Sequence, residues 1–499
     1  MEAAPQSQSK DFLLSACRCF HGEAGEPTTV FPKNSIPGWI AVVLLLAAGL
    51  ALRLEMLGKL FQVNGDSLIY GSLAKNLLLH GSYSLNDAGN TLYPSLIRLP
   101  GYPLFLALCF RLFGMENYFS ASVIQIVLEL LGCLLLADSV RRLAPAAAKN
   151  AAALATLALA ALCPFTASYA AAPLTETPTL FVIALALWAA IGFRERQNWT
   201  NALLFTFAIT SAAFLRPDGA LVGVALAPAL FVGRVCTREI LRKALVCLLL
   251  ALAPFVAWSI RNWTVFHVFQ PLAPRYATEP DEDIHAGWQH WIKSWCSDFS
   301  CTYDIYWSVP DEEIDLSKIP AQAFDSPQQY QQTAALIADY NSGGMVLTRS
   351  LDARFGQLAQ QREQAHPLRF HLGLPLLRTA NMWFRPRIEN LPIDFDWQVY
   401  KTHKGQTIFS WAYVGLNVLF LLLGLGGLLL RPRFAGAMLA YFVLRSALLT
   451  TIEAPEARYT LECFPMLFVL GGLALAAIWK GCSKSKEGRK STESHPQAL

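Results

Sequence analysis

Runs of about 20 apolar residues, the length needed to cross a hydrocarbon core of about 30 Å, recur along this chain and dictate its solvent. They fall at about 38–57, 119–138, 148–170, 174–193, 201–215, 218–234, 241–260, 408–430, 434–452 and 460–479. The expected fold is an all-α polytopic membrane protein of about ten transmembrane helices, with an amphipathic surface helix in the first external loop and one α or α+β extracytoplasmic domain. Composition agrees. Of 499 residues, 54% are hydrophobic and 15% charged, against about 25% charged in a soluble domain. The formal net charge of +4 implies no nucleic-acid partner, because the basic residues lie beside the spans and form no basic face.

Those basic residues set the topology, since short cytoplasmic loops collect Lys and Arg. Arg141, Arg142 and Lys149 share one loop, Arg194 and Arg196 the next, Arg234, Arg238, Arg242 and Lys243 a third, and Arg431 with Arg433 a fourth. All fall on one side, and the tail from Lys480 to Arg489 and Lys490 joins them. Both termini are therefore expected in the cytoplasm. The first run is preceded by about 35 mostly polar residues with no convincing cleavage site behind it, which argues against a cleaved signal peptide. The chain divides into a tail (1–37), a membrane core (38–261) with its first external loop at 58–118, an extracytoplasmic insert (262–407), a second membrane segment (408–479) and a tail (480–499), the two tails expected to be disordered.

Cys109, Cys133, Cys163, Cys247 and Cys463 lie in or beside apolar runs and read as small core residues. Cys296 and Cys301 stand in a polar, aromatic stretch. They are disulfide candidates if that stretch faces an oxidising compartment. No CxxC pair or His/Cys cluster has zinc spacing. The same stretch holds Trp288, Trp291, Trp295, Tyr303, Tyr306 and Trp307, which suit a sugar-stacking platform or, more ordinarily, a core or membrane interface. Asn198-Trp199-Thr200 and Asn262-Trp263-Thr264 match the glycosylation pattern, but one is expected in the cytoplasm and the other hugs a span. Gly424, Gly426 and Gly427 lie inside an apolar run, where close helix packing explains them better than phosphate binding.

The loop after the first span is the stretch richest in chemistry. Asn64-Gly65-Asp66-Ser67-Leu68-Ile69-Tyr70 opens a short helix with Ile69, Leu73 and Leu77 at helical spacing and His80-Gly81 at its end. By position alone Asp66 is an N-cap. The helix is too short to span and is expected along the membrane surface.

Three sets of residues then resemble a known family. Asp66, the helix Ala74-Lys75-Asn76-Leu77 through Gly81, and the turn Arg98-Leu99-Pro100-Gly101-Tyr102-Pro103 follow the order found in GT-C superfamily membrane glycosyltransferases, in particular the family of protein O-mannosyltransferases and the lipid A aminoarabinose transferase. Leu99 replaces the usual first proline of the turn. Leu174-Thr175-Glu176-Thr177-Pro178 resembles the position of a second acidic residue, and Glu456-Ala457-Arg458-Tyr459 followed by Pro465 resembles the family's approach to its last span. The resemblance runs to about residue 270 and resumes at the final segment. The insert has no counterpart in it.

The resemblance implies transfer of a sugar from a polyprenyl-phosphate donor to an acceptor hydroxyl of a lipid, glycan or protein on the external face, in what would be a bacterial inner membrane. Asp66 would take the acceptor proton, and Glu176 would orient the acceptor, assist, or join Asp66 around a divalent cation. Arg458 and Arg216 are candidates for the donor phosphate. Arg98, Tyr102 and Tyr459 are candidates for the donor or acceptor cavity. Bland alternatives stand beside each: a water-facing Glu176, an Arg458 paired with Glu453 or Glu456, and an ordinary turn Arg216. Arg261 and Asn262 read as an interface anchor, Lys59 and Lys75 as helix-flank residues, and His80 as a helix end. A transporter or flippase is the main rival, kept alive by Glu129 inside the second span; a silent membrane scaffold is another.

Overall fold

The computed structural model describes residues 38–87, 89–233, 237–394 and 397–493, with side chains through 481. The first tail, the end of the second and Arg234 lie outside the described residues. Lipid offers no hydrogen-bond partners, so the apolar runs close their backbone bonds within helices. Six are long and apolar enough to cross a membrane: α1 (Gly38–Leu60), α4 (Tyr118–Leu143), α7 (Glu176–Arg196), α10 (Arg238–Phe266), α15 (Lys404–Leu429) and the stretch Ala457–Gly481, most of it in α17 (Phe464–Glu493). A seventh is the broken pair α5 (Lys149–Ala161) and α6 (Pro164–Ala170), bent by 52°.

The other three expected spans are shorter apolar helices: α8 (Trp199–Leu215), the segment Pro217–Leu230 around α9 (Ala220–Leu226), and α16 (Ala435–Leu449). At 1.5 Å per residue, the 17 residues of α8 reach about 26 Å, short of the full hydrocarbon thickness. One more short apolar helix, α3 (Gly101–Phe113), lies within the loop 58–118. The helical stretch of α17 continues through Glu493, into what the sequence suggested was a tail.

Two elements form the centre of the bundle. The apolar window of α7 is 89% buried and that of Ala457–Gly481 83%, whereas those of α1 and α10 are 17% and 11% buried and present their side chains outward. Small residues allow this crowding. A Cβ at Gly427 would sit 1.9 Å from the carbonyl oxygen of Leu470, so α15 and α17 meet backbone to backbone.

In the loop after α1, α2 (Asp66–His80) starts after Gly65 and ends at Gly81, whose φ of 64° supplies the left-handed turn that closes a helix. Its Ser67, Tyr70, Gly71, Leu73, Ala74 and Asn76 are buried, and Tyr70 and Ala74 pack with Tyr102 and Leu106 of α3. A small antiparallel hairpin follows, β1 (Ser84–Asn86) with β2 (Leu92–Pro94), pairing Leu85 with Tyr93. The sequence reading did not anticipate it. Asn76 ties it to α2, donating to the Ser84 carbonyl at 2.8 Å and to Asn86 Oδ1 at 2.7 Å.

Among its described residues the regular elements of the insert are helical, with α11 (Ala286–Lys293), α12 (Pro327–Ser342), α13 (Arg349–Ala365) and α14 (Leu374–Phe384) as the main ones and irregular chain between them. Trp288, Trp291 and Trp295 are its buried core, packed with Phe355 and Tyr340. These three indoles hold the insert together and offer no face to a sugar. Cys296 and Cys301 are joined in a disulfide. Asn198, exposed, caps α8 by accepting from the Asn201 N–H through Oδ1, and Asn262 is buried with its amide donating to the Gln270 carbonyl, so the second sequon offers no free amide.

The break between α5 and α6 leaves the last carbonyls of α5 without intrahelical donors. Arg53 of α1, fully buried, supplies them: Nη1 donates to the Ala161 carbonyl at 2.6 Å and Nη2 to that of Ala160 at 3.4 Å. Glu129 of α4 balances its charge through a two-pronged contact at 2.8 and 2.6 Å. The ionisable residue that favoured a transport reading is thus locked into a helix-packing role. Removing one partner of a buried pair costs about 3–5 kcal/mol because the other charge is stranded. Thermal unfolding in detergent should therefore show Glu129→Gln and Arg53→Met each lowering the midpoint, with the Arg53→Met/Glu129→Met double variant less harmed than Arg53→Met alone.

Candidate active site

The functional candidates converge from five parts of the chain. Asp66 stands at the start of α2, Arg98 just before α3, Glu176 at the start of α7, Arg216 at the end of α8, and Arg458 in the 3-10 turn Ala457–Cys463 that leads into α17. Every one of these positions is a helix end or a turn. Turns free a side chain from the crowded bundle interior, and the N-termini of α2 and α7 favour negative charge.

Gly65 takes the N-cap position of α2, and Asp66 makes no capping bond. Its Oδ1 instead accepts from Arg98 Nη2 at 2.7 Å, while Oδ2 lies 3.7 Å from Arg458 Nη2. Burial pushes the Asp66 carboxyl up, but the guanidiniums of Arg98, Arg458 and Arg216 outweigh it and hold the group below the ordinary aspartate range. Burial also drives the neighbouring Tyr70 phenol up to about 12, so it stays protonated. The Tyr70 ring lies 5.9 Å beneath the Arg98 guanidinium.

Glu176 is 2% exposed, which removes the water-facing reading. Its Oε1 meets Arg216 Nη1 at 3.1 Å and Arg458 Nη1 at 3.6 Å. Arg458 therefore bridges the two carboxylates, and Glu456 completes its surroundings at 2.7 Å. Tyr459 stacks between cations, its ring 5.6 Å from Arg458 and 5.7 Å from Arg216, and its hydroxyl donates to Glu456.

Deeper in, Arg216 is no ordinary turn residue. Its Nε faces Glu462 at 2.9 Å and Asp218 at 3.3 Å. Arg445, wholly buried, closes the chain with contacts to Asp218 at 2.7 Å and Glu462 at 2.8 Å, and its Nε donates to the Tyr459 carbonyl. The network has an open end and a closed one. The side chains of Asp66 and Arg98 are 30% and 21% exposed, those of Glu462 and Arg445 1% and 0%. Glu462, Asp218 and Arg445 were not singled out from the sequence, although an Arg inside the run 434–452 and a Glu inside 460–479 are the signal that such charges are paired and purposeful.

Other candidates take supporting positions. Tyr102 is buried, donates to Gln125 Oε1 at 2.7 Å and packs against Tyr70 and Phe105, so it braces the loop and lines no open space. Arg261 of α10 pins the same loop, donating to the carbonyls of Ser95 and Tyr83 at 2.8 Å each. Lys59 pairs with Glu55 and Lys75 with Glu116, both at the surface. His80 is exposed at the end of α2. Asp66 and Glu176 do not fit a shared divalent cation, because the Arg458 guanidinium lies between them. Among the described residues no group of three or more His, Cys, Asp or Glu could hold a metal ion.

Residues 97–260, about a third of the chain, match the family described as dolichyl-phosphate-mannose-protein mannosyltransferase. The match begins one residue before Arg98 and takes in Glu176 and Arg216. No curated protein matches the chain. Two crystal structures of ArnT from Cupriavidus metallidurans align loosely. The apo form is 16% identical over 89% of this chain and 77% of that one at a TM-score of 0.36. The form bound to undecaprenyl phosphate is 15% identical over 93% and 82% at 0.38. Overlaps this loose carry no assignment, and what the comparisons show is that the stretch 97–260 of the membrane core is similar to the dolichyl-phosphate-mannose-protein mannosyltransferase family.

Proposed function

We propose that the protein transfers a sugar from a polyprenyl-phosphate donor to an acceptor hydroxyl on the external face of the membrane, with Asp66 as the base. The observation that carries this reading is the bridge itself: one guanidinium, Arg458, held between a partly exposed carboxylate and a buried one. The family match supports the donor class.

The chemistry follows from the charges. Attack at the anomeric carbon forms a bond to the acceptor oxygen, breaks the bond to the phosphate oxygen and develops positive charge on the sugar. The acceptor proton goes to Asp66, and the departing phosphate gathers negative charge that a fixed cation stabilises. Arg98 and Arg458 suit that task, because each is partly exposed and its contact with Asp66 is the one a phosphate can replace. Arg216 does not, being engaged by three carboxylates. Its role in this reading is to hold Glu176, which in turn aims Arg458. Arrival of the phosphate would draw Arg98 and Arg458 from Asp66 and release the carboxylate from the charges that depress its basicity. The same event that seats the donor thus prepares the base.

Sidedness belongs to this proposal, with the site and insert outside and both termini in the cytoplasm. A membrane-impermeant thiol reagent applied outside should modify Gln361→Cys and spare Arg433→Cys.

Purified protein supplied with a panel of polyprenyl-phosphate sugars should transfer one of them, and Asp66→Asn and Asp66→Ala should each slow turnover by about 10²- to 10⁴-fold at unchanged folding. Turnover at the wild-type rate in both variants refutes the base. The depressed titration of Asp66 sets the pH dependence: the carboxylate is the active form, so the rate constant at low donor concentration should show no acid limb from this group between pH 5 and 8. In Arg98→Gln, with the largest opposing charge gone, the carboxyl rises and the acid limb moves to higher pH.

A further inference from the structure

The turn that carries Arg458 is short, and the insert grips the chain just ahead of it. Glu453, 9% exposed, receives Arg275 Nη2 at 2.6 Å and faces Lys293 Nζ at 3.6 Å. The same two cations donate to the Thr451 carbonyl, at 2.7 and 3.3 Å, and the Tyr276 hydroxyl donates to Glu453 at 3.5 Å. Farther along, Thr302 donates to the Pro455 carbonyl at 3.2 Å. Arg387, buried, donates to the Ala457 carbonyl at 2.7 Å and to Thr460 Oγ1 at 2.5 Å. Contacts from insert positions 275, 276, 293, 302 and 387 therefore reach nearly every second residue from Thr451 to Thr460. The membrane helices answer mainly from beyond Arg458, through Arg445 on the Tyr459 carbonyl and on Glu462.

We infer that Glu453 is a positioning residue through which the insert sets the placement of Glu456 and Arg458, so that the extracytoplasmic domain controls the catalytic rate without touching the substrate. The inference rests on the proposed function of the site. Its physical basis is that Arg458 approaches Asp66 and Glu176 at 3.7 and 3.6 Å, contacts with no short hydrogen bond to fix them. The guanidinium is therefore placed by Glu456, at 2.7 Å in the same turn, and by its own backbone, and the segment that carries both is anchored at its leading end by the ion pair at Glu453. Neither Glu453 nor Arg275 contacts Asp66, Glu176 or Arg458, so loss of their pairing acts through geometry. Displacement of a transition-state group by about 1 Å suffices for a rate loss of up to about 10²-fold.

The test compares wild-type protein with Glu453→Gln, Arg275→Gln, the double variant and Glu453→Asp in the full chain, by sugar transfer, by thermal unfolding in detergent and by hydrogen–deuterium exchange over 450–460. Each single change to Gln should lower kcat roughly tenfold at working temperature. The loss in the double variant should be smaller than the product of the two single losses, since both singles remove the Arg275–Glu453 contact. Glu453→Asp, which keeps the charge, should recover most of the rate, and KM for the lipid donor should move less than kcat. Exchange over 450–460 should quicken in Glu453→Gln. A wild-type kcat in both single variants overturns the inference, as does a loss no larger than the fraction of unfolded protein. Absence of transfer by the wild type is a different outcome. It would refute the proposed function, and the exchange over 450–460 would then decide the latch on its own, unchanged exchange overturning it.

Discussion

Arg458 stands between Asp66 and Glu176, and much of the architecture on the site's side of the molecule exists to allow that arrangement. A guanidinium at the edge of a lipid-facing bundle is expensive to desolvate and tolerable only when paired. Pairing it with two carboxylates from opposite ends of the first half of the chain forces the start of α2, the start of α7 and the turn before α17 to one place. The pairing continues inward through Arg216, Glu462, Asp218 and Arg445, each cation meeting at least two anions. Removing a member strands its partners in a low dielectric, so the closed end of the network is rigid by necessity.

The open end has a different character. Asp66, Arg98 and Arg458 keep some contact with solvent, and Asp66 is joined to Arg458 by a longer approach than to Arg98. A phosphate can displace such contacts; it cannot readily displace those of Arg445. Rigid cations behind and exchangeable ones in front are what a site needs if it must receive an anion, stabilise the charge that develops on it and let it go. Around this end, support comes from elements that are themselves small: the β1–β2 hairpin fastened by Asn76, the loop pinned by Arg261, and the stretch 451–460 gripped by the insert. None of these could hold a shape alone. Each is ordered by polar contacts to a neighbouring element.

Much was legible in the sequence wherever a local pattern has one physical meaning. Ten apolar runs all became apolar helices, although three are shorter than a full crossing and 148–170 breaks at Pro164, where a helix must lose a backbone bond. The Gly triplet of α15 and the core cysteines read correctly for the same reason: small residues in lipid serve packing. Ambiguous patterns misled. Asp66 looked like an N-cap because that is what an aspartate at a helix start usually does, but Gly65 holds the position and the carboxylate turns to Arg98. Trp288, Trp291 and Trp295 of the insert had two plausible uses until burial assigned them to its core, while Trp307 stayed exposed.

Composition and periodicity alone determined the solvent, the helical class and the rough positions of the spans, because hydrophobic length and charge bias act locally along the chain. The motifs around Asp66, Glu176 and Arg458 could be found one by one in the same way. Only the tertiary structure decided that they meet, that Arg458 is the bridge, and that Glu462, Asp218 and Arg445 stand behind it. Ion pairing depends on distance in space, and Asp66 and Arg458 lie nearly four hundred residues apart along the chain. No pattern within one window of the sequence can carry that information; the packing of α7 and α17 at the centre of the bundle does.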